Sequence, residues 1–228
     1  MPEWKGRRGN RGESGRSRLL VMAVVPVAVA AVAVVGLRWN DAHKSSPAAA
    51  FTVARAAATE GGPGNAYRVE VEDGSGLDAD KAAAVVARIL AAPRGWSHHG
   101  EHTFRQVAKG PAGLVIRIAT PGTTDRVCGE SGLDTHGEVN CRVGAVVMVN
   151  LKRWQTGSPE FDGPLAEYRA LIINHEVGHW LGHGHETCPG KGRPAPAMMQ
   201  QIDGLKGCVA NAWPYDAEGR YLGGPPVP

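Results

Sequence analysis

Apolar residues change their spacing several times along this 228-residue chain, and each change marks an element. The first is a continuous run: "LLVMAVVPVAVAAVAVVGL", 19–37, carries no charge. As a helix it would span about 28 Å at about 1.5 Å per residue, close to a bilayer core. A single-pass membrane anchor is therefore expected, with Pro26 tolerated in the span. "AVA" at 28–30 leaves cleavage and secretion as the alternative. Before the run, Lys5, Arg7, Arg8, Arg11, Arg16 and Arg18 face only Glu3 and Glu13. That bias predicts a cytoplasmic basic tail over 1–18 and places everything after residue 38 outside the membrane. Residues 38–63, rich in Ala, Ser, Gly and Pro and without a period, read as a flexible linker.

A globular domain is expected over 64–215, with 216–228 as a tail. "YRVEVE", 67–72, alternates like a half-buried strand, and "LDADKAAAVVARIL", 77–90, has helical spacing with Asp78 or the adjacent turn as its cap. "HTFRQVA", 102–108, and "GLVIRIAT", 113–120, read as further strands of one sheet. Residues 121–142 carry no apolar period and read as loop, and "RVGAVVMVN", 142–150, is the last clear strand. Leu165, Tyr168, Leu171, Ile172 and Val177 then recur near helical spacing. One helix is expected from 164 to about 181, with Pro164 suited to its first turn. Past Gly182 the chain is Gly- and Pro-rich and aperiodic.

Charge changes this picture little. The net charge is +3 and much of the positive charge lies in the first eighteen residues, so nucleic acid is not an expected partner. Cysteine adds more. Cys128, Cys141, Cys188 and Cys208 all fall in the part placed outside, where an even count suits two disulfides. Three connectivities are open; neighbour pairing, Cys128 with Cys141 and Cys188 with Cys208, closes two local loops and is preferred. None of the four stands in a C-x-x-C pair, which argues against a structural zinc cluster.

The densest chemistry is "NHEVGHWLGHGHE", 174–186. His175 and His179 are four residues apart and share one helix face, about 5 to 6 Å apart at Cβ, so both can reach one ion. His183 continues the spacing, but a helical residue there would lie about 12 Å along the axis from His175, too far for one metal. Gly182 can end the helix with a positive φ and let the chain return, which makes His185 the third candidate. His175, Glu176, His179, Gly182 and His185 spell H-E-x-x-H-x-x-G-x-x-H, a zinc signature. Three neutral imidazoles on Zn2+ leave an open position for water, as catalytic zinc sites require. Glu176 adjoins a ligand without sharing its direction and is the candidate general base. His183 and Glu186 are read as ordinary solvated or packed groups, and His43, His98, His99, His102 and His136 show no ligand spacing.

At these residues the chain resembles the metzincin zinc endopeptidases, and "APAMMQQ", 195–201, is similar to their Met-turn, with Met198 favoured over Met199. The resemblance implies an α+β, metzincin-like fold: a mixed, twisted sheet with a backing helix and an active-site helix, then an irregular C-terminal subdomain. It also implies that "GAVVMVN", 144–150, is the edge strand that pairs with an extended substrate. The chain is similar over about 64–214 to a family of membrane-anchored, metzincin-like domains of high-GC Gram-positive bacteria, which implies fold and site but no substrate. Positions 200 and 201 are Gln where some metzincins place a tyrosine near the zinc, so Tyr215 is the one substitute offered. No cysteine precedes the domain to block a zinc. The implied function is a monomeric metallo-endopeptidase acting on protein or peptide outside the cell membrane; a zinc-holding but non-catalytic envelope binding module is the alternative.

Overall fold

Alternation in residues 67–72 works because the two faces of the strand meet different partners. A computed structural model describes residues 48–55 and 62–227 of the chain, and all its elements belong to one unit, Ala49–Pro228. The expected basic tail and membrane anchor lie outside the described residues, as does most of the expected linker. Among the described residues no helix is long and apolar enough to cross a membrane.

The chain is an α+β protein with a mixed six-stranded sheet and four helices. The strands are β1 (Phe51–Val53), β2 (Asn65–Glu72), β3 (Phe104–Gln106), β4 (Leu114–Ala119), β5 (Cys141–Val143) and β6 (Val146–Asn150). Sheet order is β1-β2-β4-β6-β5, with β3 also on β2. β2, β3, β4 and β6 run parallel, while β1 and β5 are antiparallel to their neighbours. β1 and β3 share one edge of β2, pairing with its C-terminal and N-terminal halves respectively.

One sheet face carries Val69, Val71, Ile116, Ile118, Val147 and Val149, and two helices cover it. These are α1 (Ala79–Leu90), capped by Asp78 accepting from the Lys81 N–H at 2.8 Å, and α4 (Leu165–Leu181). On the other face Glu70 is buried but held between Arg68 and Arg117 at 3.1 and 2.6 Å. Charge pairing thus allows the polar half of the alternation to be covered as well. Further along that face α2 (Pro121–Gly129) packs through Cys128 on Cys141, Met148 and Ala119.

Three expectations change here. Residues 121–129 are helix, not loop: the Glu72 carboxylate on β2 accepts from the N–H and Oγ1 of Thr120 and from Thr123 Oγ1, anchoring a first turn that has no side-chain cap of its own. The run 142–150 is a hairpin rather than one strand, because Gly144 takes φ 57° at its turn. As a consequence 144–150 is not the edge. β6 lies inside the sheet and β5 is the edge strand, tied outward by the Cys128–Cys141 disulfide. Helix α3 (Leu151–Thr156), capped by Asn150, follows directly and ends at Gly157. β1, within the stretch read as linker, is three residues of sheet edge.

Candidate metal centre

Helix α4 is buried over most of its circumference, so its polar residues must be satisfied by the surrounding protein. Buried Asn174 donates its side-chain amide to the Ala212 carbonyl at 2.9 Å, and its main-chain carbonyl accepts from Trp96 Nε1 at 2.8 Å. The helix stops where Gly182 turns left-handed at φ 100°, and His183 closes back on the Gly178 carbonyl at 2.9 Å. This is the six-to-one bond of a Schellman cap. The chain then returns under the helix, and Glu186 donates its N–H to the Met198 carbonyl at 3.1 Å.

That return brings His185 to His175 and His179. Their candidate ligand atoms lie within 4.8 Å of one another. His179 Nε2 is 3.1 Å from His175 Nε2 and 3.0 Å from His185 Nε2. The tautomers of two rings follow from their other nitrogens. His175 Nδ1 faces the Ala197 carbonyl at 2.9 Å, and His179 Nδ1 faces the His183 carbonyl at 2.9 Å. A carbonyl can only accept, so both Nδ1 atoms carry hydrogen, and in a neutral ring Nε2 is then a bare lone pair. Burial first, then the neighbouring His179, push the His175 imidazole down to about 3 against the Ala197 bond, so the ring is neutral near pH 7. His179 and His185 are also shifted down, chiefly by burial. Two facing lone pairs at 3.1 Å repel unless a cation sits between them. The three histidines are therefore able to hold a metal ion.

Glu176, one residue from the first of them, is 5% exposed and points into the same cleft, where its Oε2 makes no hydrogen bond among the described residues. Burial pushes its carboxyl up to about 8, opposed by the charge of Arg142. The cleft, about 330 Å³, lies between α4 and β5 and is further lined by Tyr168, Leu171, Ile172, Gln200 and Ile202.

His183 does not join the cluster. Its ring stacks on Trp96 at 4.3 Å, and its carbonyl orients His179. Met198 and Met199 separate cleanly. Met198 lies beneath α4, so close to Gly178 that a Cβ added there would overlap its Sδ, whereas Met199 packs with Ala195 and Cys208. Tyr215, offered as a tyrosine for the site, is not in the cleft; it stacks on His98 at 4.4 Å, edge-on to Trp96. Glu186 is not merely solvated, since it accepts from Tyr221 Oη and the Gly224 N–H, each at 3.0 Å. Cys188 is bonded to Cys208, closing the loop that carries both methionines.

A family described as a protein of unknown function, DUF3152, matches residues 41–212. The chain belongs to the DUF3152 family. No curated protein and no solved structure matches it. The DUF3152 match includes all three histidines and Glu176 but ends before residues that support them. Thr187 donates to the Pro225 carbonyl at 2.8 Å and Val227 to the His185 carbonyl at 2.9 Å, so residues read as a tail brace the third histidine. Sequence reasoning missed these braces and the orienting carbonyls of Ala197 and His183, because a backbone carbonyl carries no residue signature. It also passed over Arg142, which lines the cleft but sits at the end of a stretch read as loop.

Proposed function

We propose that this DUF3152 chain is a zinc-dependent endopeptidase of metzincin type, with His175, His179 and His185 as zinc ligands and Glu176 as general base. The observation that carries the reading is the pair of facing imidazole lone pairs beside a buried carboxylate oxygen with no hydrogen bond. Donor chemistry fits zinc. Nitrogens at about 2.0–2.1 Å from one tetrahedral ion stand about 3.3 Å apart, near the 3.1 and 3.0 Å seen. Met198 beneath the helix supports the metzincin kinship, as does the Gly182 turn that returns His185.

When bound, zinc supplies Lewis acidity toward a peptide carbonyl and lowers the pKa of a water to about 7. The residues of the chain do the rest. Ala197 and His183 hold the rings of His175 and His179 so that Nε2 faces the ion. A cation held by the three histidines would favour the ionised form of Glu176 against its burial, so that Glu176 can accept the proton of the attacking water at its open Oε2 and return it to the leaving amine. β5, whose outer edge is unpaired among the described residues, borders the cleft and offers backbone to an extended peptide. We place the domain outside the cell membrane, anchored through residues 19–37 and acting as a monomer on protein or peptide.

The test is zinc content and cleavage of an unstructured protein by the full chain and by Glu176→Gln. Both should hold one zinc, and only the wild type should cleave. Equal inertness of both across a broad peptide library would sink the enzyme reading and leave a zinc-holding binding module.

A further inference from the structure

The cleft has one cationic side chain, and nothing assigned so far uses it. Among the described residues, Arg142 is the only Lys or Arg lining the space that holds His175, Glu176 and His179. Its direction is set by register. Cys141 and Met148 are partners and pack on the α2 face, whereas Arg142 pairs with Val147, which belongs to the α4 face. Side chains alternate along a strand, so Arg142 stands on the side of the active-site helix.

The guanidinium is also largely unspent. Of its five N–H donors, Nη1 donates to the Gly144 carbonyl at 2.8 Å, and among the described residues no carboxylate forms an ion pair with it. The two acidic groups that line the cleft do not satisfy it. Asp134 lies 3.1 Å from His136 Nδ1, and Glu176 is buried beside the histidines. An always-charged, fork-shaped donor set on the wall of a peptide-sized cleft fits a carboxylate on the ligand.

We propose that Arg142 is a specificity-determining residue that selects peptides carrying a carboxylate close to the scissile bond. The substrate is a peptide only if the peptidase reading holds. The carboxylate comes from an Asp or Glu side chain or from a free C-terminus, and the test separates these sources. Because Arg142 is exposed on an edge strand, its replacement leaves the core untouched.

The experiment uses the zinc-loaded full chain and peptides identical except for Glu, Gln or Lys on either side of the cleaved bond, each with a free and an amidated C-terminus. For wild type, kcat/KM should favour Glu over Gln at one position by at least about tenfold, with amidation immaterial if a side chain is the source. Arg142→Ala should flatten that ratio, and Arg142→Glu should turn it toward Lys. A second readout is binding of the same peptides to Glu176→Gln by fluorescence anisotropy, where adding Arg142→Glu should remove the acidic preference. Cleavage or binding without a charge preference would overturn the inference, as would an equal loss on Glu and Gln peptides in Arg142→Ala, which would indicate a transition-state role. Acidic-peptide binding through Arg142 without any cleavage would uphold the inference and instead defeat the peptidase reading.

Discussion

Gly178 tests whether Met198 is a floor for the metal site or ordinary filling. A Cβ added at 178 would overlap Met198 Sδ and stand 2.8 Å from Trp96 Cζ2 and 3.2 Å from Met198 Cε. A methionine end can normally swing aside, but Met198 is fully buried, and the Trp96 indole is 2% exposed and bonded to the Asn174 carbonyl. Neither neighbour has room to yield. Overpacking of this kind costs about 1–3 kcal/mol, and the closed surroundings put it near the upper end. Replacing a mid-helix glycine by alanine returns about 1 kcal/mol in helix propensity. Gly178→Ala should therefore lose about 2 kcal/mol, a fall in Tm of about 4–8 °C for a domain of this size. Urea unfolding of the metal-free protein measures it without linkage to the ion. The sign should reverse when Met198 is already alanine. Met198→Ala alone costs about 2–5 kcal/mol through its cavity, but in that background the added methyl fills space and the propensity gain stands alone, a coupling of about 3 kcal/mol. A neutral or stabilising Gly178→Ala in the wild type, or additive single and double variants, would refute the idea that Met198 supports the ligand helix by direct contact.

The two outer histidines should part company in a chelator-competition assay. His185→Ala removes a ligand and should weaken zinc more than the about 10–100-fold typical of a supporting group; His183→Ala keeps the carbonyl that orients His179 and should stay within about tenfold, and the reverse order would overturn the ligand assignment. Deleting 221–228 removes both hydrogen bonds to the Glu186 carboxylate and those from Val227 and to Pro225. It should weaken zinc by about 10–100-fold as loss of a supporting layer does, and unchanged affinity would show that the return to His185 stands without the brace. All four tyrosines are shifted upward, chiefly by burial, Tyr67 and Tyr168 to about 12. The folded chain therefore keeps phenol protons that the unfolded chain gives up near pH 10, so stability is full below that value and falls as pH rises toward about 12. Absorbance at 295 nm should show at least two of the four phenols still protonated until far-UV circular dichroism reports unfolding; ionisation of all four near pH 10 in folded protein would contradict the burial of Tyr67 and Tyr168.

What could be read from sequence was whatever the chain encodes locally. The period of 165–181 and the Gly182 stop are local facts, and they were enough to place His185 rather than His183 beside His175 and His179, because helix rise alone excludes His183. Alternation found β2, and Asp78 found the start of α1. Failures share one cause, a partner distant in sequence. The start of helix α2 is tied down by Glu72, 48 residues before Thr120, through the Thr120 N–H and the Thr120 and Thr123 hydroxyls. The edge strand was misplaced because a turn at Gly144 and a disulfide at Cys141 split a run whose apolar character is continuous. Glu186 looked solvated because its donors, Tyr221 and Gly224, come from a segment with no period to betray it.

The same long-range logic explains how a region with little regular structure can support a precise site. After Gly182 the described elements reduce to one short 3-10 turn, 201–203, and isolated bridges, so its order must come from attachments. Residues 196–199 supply three of them at once. The Ala197 carbonyl fixes the His175 ring, the Met198 side chain seats against Gly178, and the Met198 carbonyl holds Glu186 next to His185. The Cys188–Cys208 bond closes this loop, and Gln201 pins its far side to the Pro196 and Asn211 carbonyls. A ligand common to His175, His179 and His185 would join α4 to the return segment through the histidine side chains themselves. Binding energy there is then folding energy for the C-terminal part, about 4 kcal/mol at a free-ion concentration a thousandfold above Kd. On this account the loop is shaped chiefly to present one carbonyl and one sulfur to α4, which is why a Gly- and Pro-rich sequence without a period suffices for it.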